Sequence, residues 1–238
     1  MKLREHLEQR LRLPLRVPST IASGADVRAV VAGREVFFKS RQANLTLSAE
    51  ALGTAFLLPA AFAGRRLVGG EVDPVWLQGA TSAWSLVGHW WNWKAKAPDF
   101  KTTVPRQAAP GVGLAFSLGI DSFYSLFFSD RRPTHLLLAG GFDVPIANRE
   151  VLEAMSNSVS DVSKTLGIDW VLIETNLRQH RLFKRLNWEF SHGGAVATLG
   201  HLMRETCGRL LVSSSFHQSE SGPWGSHADL DPLWSSSS

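Results

Sequence analysis

The stretch "GLAFSLGIDSFYSL", Gly113–Leu126, decides how this chain is read. Ser117, Gly119, Asp121 and Ser122 crowd together between an apolar run that alternates like a strand and an aromatic run that reads as a helix. A short connection needs polar residues and glycine, which is the bland account of the cluster. The sharper account is an anion site. Backbone N–H groups left unpaired at a helix N-terminus attract negative charge, helped by the helix dipole. Gly119 lets the backbone come close, and the hydroxyls of Ser117 and Ser122 add donors. Asp121, a carboxylate among phosphates, makes sense when Mg²⁺ lies between them.

Working outward, the residues after this loop alternate between the two periodicities. "GVGLAF", "THLLLAG", "DWVLIET" and "RLLVSSS" read as strands, separated by helices at "DSFYSLFF", "NREVLEAMSNSVSDVSKTL" and "GAVATLGHLMRET". Asn148 stands at the start of the second helix and Gly167 just past its end. Strands alternating with helices predict an α/β fold, a Rossmann-like parallel sheet with helices on both faces. Ligands of such sheets gather beyond the carboxyl ends of the strands, where the loop in question lies.

The first hundred residues predict a small α+β unit. "DVRAVVAGREVFFKS", Asp26–Ser40, reads as a hairpin turning at Ala32 and Gly33. A helix follows from Ser48 to about Ala63, then the short run "RLVGGEV", then a second helix with Asp73 as cap and Pro74 in its first turn. Trp76, Ala80, Ala83, Trp84, Val87 and Trp91 share one helical face, so this tryptophan stripe is read as core rather than as a stacking platform. Lys94–Gly111 has no apolar period and reads as a linker. The expected division is 1–100 for the small domain, 101–110 for the linker and 111–238 for the ligand-binding domain, the last read as open to truncation at its C-terminus.

The 238 residues are 44% hydrophobic and 19% charged, ordinary for a globular chain, with a net charge of +4 that suits anionic ligands without choosing among them. A single cysteine, Cys207, excludes an intramolecular disulfide and a cysteine-based zinc site within the chain. Neither a signal peptide nor a membrane span is expected, because "ALGTAFLLPAAFAG" is too short and holds Pro59. The expectation is a cytoplasmic protein with no membrane partner.

Three motif readings compete for the loop. A dinucleotide fingerprint fails because Gly111 and Gly113 fall inside the strand, and a Walker loop fails because no lysine follows Gly119. "AFSLG", Ala115–Gly119, fits a serine nucleophile elbow with alanine at its first position, which would make Ser117 a hydrolase nucleophile served by His217 or His227. Read as S-x-G-x-D-S, Ser117–Ser122 resembles the pyrophosphate loop, S-G-G-x-D-S, of the N-type ATP pyrophosphatase (PP-loop) superfamily. Together with "LLLAGGFDVP" and "SSSFHQSESGPWGSHADLDPLWSS", the loop looks like a bacterial PP-loop group related to 7-cyano-7-deazaguanine synthase and, more distantly, to the synthetase domain of asparagine synthetase. The likeness covers roughly Ala109–Ser236. It implies a sheet of the HUP type and a site of Ser117, Leu118, Gly119, Ile120, Asp121 and Ser122 for ATP and Mg²⁺, with Asp121 and Ser117 central to catalysis. It further implies adenylation of a carboxylate or carbonyl oxygen of a small molecule, with release of pyrophosphate and attack by a nitrogen or sulfur nucleophile. A nucleotide-binding protein without turnover is the alternative.

Two departures stand out. Leu118 replaces the first glycine, which either narrows the phosphate cradle or marks a subgroup variant. The synthase's cysteine-rich zinc site is missing, so either it was lost or the sequence ends before it.

Gly141, Phe142 and Asp143 lie beyond the second strand, where the resemblance implies contact with adenosine; an acidic residue in a glycine turn is the plain alternative. Arg178, Arg181, Lys184 and Arg185 form the densest basic cluster, read as a solvated helix face or as a grip on phosphate or an acidic substrate. In "PWGSHADLD" Ser226 and His227, with Ser214 before it, are candidates for substrate or phosphate contact, while Asp229 and Asp231 suit a helix cap. A metal site from His217, His227, Asp229 and Asp231 is poor on spacing. His192, with Gly193 and Gly194, is expected to open the last helix. Nothing resembles an RNA-reading module, which argues against nucleic acid as partner, and self-association is left open.

Overall fold

In the computed structural model, residues 12–19, 21–214 and 222–237 are described. The N-terminal half runs β1 (Leu15–Arg16), β2 (Ala22–Gly24), β3 (Asp26–Val31), β4 (Arg34–Lys39), β5 (Leu45–Leu47), α1 (Ala49–Phe62), β6 (Leu67–Val72), α2 (Pro74–Trp91) and β7 (Asp99–Thr102). The rest runs β8 (Gly111–Ala115), α3 (Ile120–Phe128), β9 (His135–Gly140), α4 (Arg149–Leu166), β10 (Asp169–Thr175), α5 (Arg181–Arg185), α6 (Trp188–Leu202) and β11 (Cys207–Leu211).

Local signals set the ends of these elements. Ser48 and Asp73 accept N–H bonds at the starts of α1 and α2, Asn148 does so for α4, and Gly167 closes α4 in the left-handed conformation. Ala32 and Gly33 both have positive φ, the geometry that joins β3 to β4 in a tight hairpin. α1 is apolar nearly all round and buried nearly throughout, as a central helix must be. Gly53 on α1 makes room for Trp76, whose indole N–H donates to Thr54 Oγ1 at 2.8 Å. Trp76 is thus core, as the helical spacing indicated.

The main sheet has the order β11-β8-β9-β10-β4-β3. β11, β8, β9 and β10 are parallel, whereas β4 pairs antiparallel with β10 through Thr175 opposite Phe38. The fold is therefore mixed α/β, and the sheet is not parallel throughout as expected. The reason lies in the hairpin: Asn176, just past β10, accepts the Phe37 N–H and donates to the Glu35 carbonyl, joining the N-terminal half to the sheet. Helices cover both faces of the parallel portion, because strand residues alternate between two cores. Leu136 and Leu138 pack with Phe116, Leu126 and Val159 of the α3 and α4 side, while Leu137 packs with Leu199 and Leu202 on the α6 and α1 side.

Within Lys94–Gly111, read as a linker, Asp99–Thr102 forms β7 and pairs parallel with β6. One buried side chain is responsible. Phe100 packs edge-on against Trp76, and a single apolar residue leaves no periodicity to detect. Among the described residues no helix is long and apolar enough to cross a membrane.

His180 shows how burial sets a pH limit on this fold. Its Nε2–H donates to the Val31 carbonyl at 3.1 Å, its Nδ1 caps α5 by accepting the Leu182 N–H, and its ring meets Phe56 edge-on. Burial, the main cause, lowers its pKa from 6.5 to about 4. The folded state then binds fewer protons than the unfolded one between those values, so stability is present above pH 6.5 and is lost as pH falls toward 4, by about 3 kcal/mol. Burial also lowers the pKa of His201, in the same direction. Denaturant unfolding across this range is expected to show the loss, and His180→Asn, which can still cap, to flatten the slope by about 1.4 kcal/mol per pH unit. An unchanged slope in that variant would remove His180 from the account.

Candidate functional site

β8 sits between β11 and β9 in the sheet. The chain leaves β8 toward β9 on one side, and β11 arrives on the other, so the loops beyond β8 and β11 part and open a crevice. A cavity of about 300 Å³ occupies it, walled by Ser117, Gly119, Asp121 and Ser122 from the β8 loop and by Phe142 and Asp143 from the β9 loop. Ser213 and Ser214 after β11, and Trp224 and Ser226 from the last segment, close the other side. Ser117–Ser122 and Gly141–Asp143 are thereby brought together, except that Leu118, Ile120 and Gly141 do not line the space.

The loop geometry follows from its residues. Gly119 stands at the N-cap of α3, and among the described residues no side chain caps that end, which leaves its first N–H groups to a ligand. A Cβ on Gly119 would lie 3.2 Å from Ser117 Oγ, which makes glycine the fitting residue. Ser117 Oγ accepts the Gly119 N–H at 3.3 Å and keeps its own proton for a ligand. Ser122 differs. It is buried, and its hydroxyl donates to the Gly119 carbonyl at 2.7 Å, so it shapes the loop rather than offering a donor. Ser125 and Ser213 share a hydrogen bond of 2.8 Å that ties α3 to the strand end across the crevice.

Leu118 has φ +66, in the region where glycine is at ease and a branched side chain is strained. Its side chain leaves the cavity and packs against the core on the α3 and α4 side, so the phosphate cradle is not narrowed by it. The departure from glycine is a matter of backbone strain. Leu118→Ala loses the packing and keeps the strain, whereas Leu118→Gly loses the same packing and releases it. Urea unfolding is expected to find the glycine variant about 1 kcal/mol more stable than the alanine variant, reversing the usual order of the two residues. Equal stabilities would mean that the loop relaxes and stores no strain.

Gly141 supports the second wall without lining it. With φ +99 and the Thr175 carbonyl where a Cβ would sit, it turns the chain tightly after β9 and presents Phe142 and Asp143. Arg178 donates to the Phe142 carbonyl at 2.6 Å and lies over the Trp188 ring, bracing that loop from behind. Arg181 donates to the Ala32 carbonyl at the hairpin turn. Neither arginine lines the cavity.

His192 is the residue that sequence reasoning misplaced. α6 starts at Trp188, capped by Asn187, so His192 stands in its second turn and lines the cavity instead of opening the helix. Its Nδ1 faces the carbonyls of Glu189 at 3.1 Å and Trp188 at 3.3 Å, both acceptors, so Nδ1 carries a proton and donates. Asn187 followed by Glu189 was the available signal.

Val212, Ser214 and Ser226 also line a second cavity of about 670 Å³ along β11, to which His227 and Asp231 belong. Ser226 donates to Asp231 at 2.6 Å, and burial pushes the Asp231 carboxyl up. Asp231 opens a 3-10 turn without capping it, correcting the expectation of a cap there. His227 Nδ1 accepts the Asp229 N–H at 3.0 Å and its ring meets Trp90. No histidine among the described residues is hydrogen-bonded to Ser117; His217 lies outside the described residues, as does its share of the expected metal site. Among the described residues no group of three or more His, Cys, Asp and Glu is placed to hold a metal ion.

Comparison of the chain with protein-family models, with curated proteins and with solved structures found no match.

Proposed function

We propose that the cavity beyond β8 binds ATP with Mg²⁺, and that the protein is an adenylating enzyme of the PP-loop type on a Rossmann-like sheet. The observation that carries this reading is the uncapped start of α3, with Ser117, Gly119 and Asp121 on one wall of a cavity at the point where strand order reverses. Phosphates would meet the open N–H groups of α3 and the Ser117 hydroxyl. The purine would lie against Phe142, Met155 and Val196. Asp143, at the mouth, would take a ribose hydroxyl.

The charges of the lining favour a metal-bound nucleotide. Asp121 and Asp143 line the cavity and, among the described residues, no lysine or arginine does, so bare phosphates would meet like charge. This donor set fits Mg²⁺, which is held through one or two carboxylates plus substrate phosphates, and the ion would supply the neutralising charge. The protein's own part is to position: Ser122 fixes the loop, Gly119 admits the phosphates, and the walls exclude water. The adjoining cavity along β11 would receive the small molecule to be activated, next to the α-phosphate. Calorimetry with ATP, with and without Mg²⁺, on the wild type and on an Asp121 variant tests the site. Substrate-dependent release of pyrophosphate tests the reaction, and its absence with intact ATP binding would favour a nucleotide-binding protein without turnover.

A further inference from the structure

A third cavity, of about 680 Å³, lies away from the β8 loop. Its sides come from Arg12, from Arg66 after α1, from Trp84 on α2, and from Trp93, Lys94 and Lys96 just past that helix. Asn92 closes α2 with φ +52 and turns the chain back, which lays Trp93–Lys96 along the groove. Two glycines line it. Gly88 stands one helical turn beyond Trp84, where a Cβ would come 3.4 Å from the Trp93 carbonyl. Gly64, with φ +65, faces the Lys94 carbonyl from the other side.

Among the described residues the lining contains four cations and no carboxylate. Arg66 is aimed by the Ala97 carbonyl at 2.8 Å and by exposed Asp99 at 3.1 Å. Among the described residues no carboxylate pairs with Arg12, Lys94 or Lys96. The two tryptophans differ. Trp93 is held by Trp91 and Phe62, whereas Trp84 is half-buried with no other ring against it among the described residues. Four cations, three of them with no carboxylate partner among the described residues, and a half-buried indole lining the same groove form a receptor for an anion joined to a flat ring. Phosphate meets the cations, and a base stacks on the indole, a contact that tolerates any base.

We propose that this groove binds nucleotide phosphates together with an adjoining base, from a free nucleotide or from a nucleotide in a single strand. The site is separate from the β8 loop and does not depend on the reading given to it. Fluorescence anisotropy of a labelled single-stranded oligonucleotide, repeated over a salt series with AMP as competitor, tests it on the full chain. Binding is expected to weaken with salt with a log–log slope of about −2, from three released phosphate contacts on a single strand. Lys94→Gln with Lys96→Gln, both exposed, is expected to bring that slope up by about 1.4 and to lower affinity at least 10-fold. Trp84→Leu is expected to weaken binding about 10-fold at unchanged salt slope, with its melting temperature as the control on folding. Displacement by AMP at similar affinity identifies a mononucleotide site, and oligonucleotide binding that AMP leaves alone identifies a strand; either outcome supports the groove. The lysine variant keeps the test decisive if Trp84→Leu fails to fold. No binding at low salt, or binding untouched by the lysine variant, overturns the proposal. So does dextran sulfate competing as well as the oligonucleotide while a folded Trp84→Leu has no effect, because plain ion exchange then explains everything.

Discussion

Gly193→Ala is expected to be among the most damaging methyl additions to this protein. A Cβ there would lie 1.9 Å from the Gly225 carbonyl oxygen and 2.9 Å from Ser226 Cα, both backbone atoms that no side-chain rotation can move. The contact is reciprocal. Gly225 donates its N–H to the Glu189 carbonyl at 2.9 Å, and its own missing Cβ faces that same carbonyl. The last segment is thus laid backbone to backbone on α6, and its 3-10 turn presses the Leu233 carbonyl on Gly79 of α2 in the same manner. Overpacking of this kind costs about 1–3 kcal/mol when the structure absorbs it. If it is not absorbed, residues 222–237 lift off, exposing Leu230 and Trp234 and breaking the bond from His201 to the Trp234 carbonyl. Loss of those buried side chains costs more, on the order of 3–5 kcal/mol. Trp224 and Ser226 would leave the cavity with the segment, so nucleotide binding should fall alongside stability. Gly222→Ala is the control, since among the described residues a Cβ there meets nothing within 4 Å. Urea unfolding and limited proteolysis of the two variants measure the difference, and a Gly193→Ala protein as stable as the control would show that the segment is not seated on α6.

That dependence on distant backbone contacts explains which parts of the protein could be read from its sequence. Ser48, Asp73, Asn148 and Gly167 act within one helical turn of themselves, so the ends of α1, α2 and α4 were legible. The four parallel strands were legible too, because residues such as Leu136 and Leu137 must serve opposite cores. The start of α6 was not, since the Gly193-Gly194 pair resembles a boundary when nothing reveals that Gly225 must pass against it. β7 rests on Phe100 alone. The antiparallel addition of β4 beside β10 depends on Asn176 meeting Phe37, 139 residues away in the chain, and no local pattern encodes that meeting. In the site, the near wall belongs to one contiguous stretch, Ser117–Ser122, and could be named. The far wall of His192, Ser213 and Trp224 is assembled from three separate segments, and only the folded chain brings them to the loop.

Asp121→Asn separates the proposed function from its plainest rival. In the first turn of α3 an acidic side chain favours the helix dipole, by about 0.3–1 kcal/mol. If Asp121 does nothing else, the asparagine variant will be slightly less stable and will treat ATP as the wild type does. If it shares Mg²⁺ with the phosphates, the consequences differ in kind. Wild-type protein should bind ATP with Mg²⁺ and lose it to EDTA, because two carboxylates and, among the described residues, no lysine or arginine line the cavity. Removing one carboxylate should weaken binding of the magnesium complex by up to about 1,000-fold, the scale of one lost close charge contact at an effective dielectric constant of about 20, where unit charges 4 Å apart interact by about 4 kcal/mol. Binding of ATP without metal should stay equal or improve, since one repelling charge has gone. Pyrophosphate release should fall by at least 100-fold, with the melting temperature nearly unchanged. The sign of the metal-free effect is what a purely structural role cannot reproduce. Calorimetry on both proteins, with and without Mg²⁺, therefore decides the matter: equal affinity for the magnesium complex in the two would mean that Asp121 holds the helix and not the ligand.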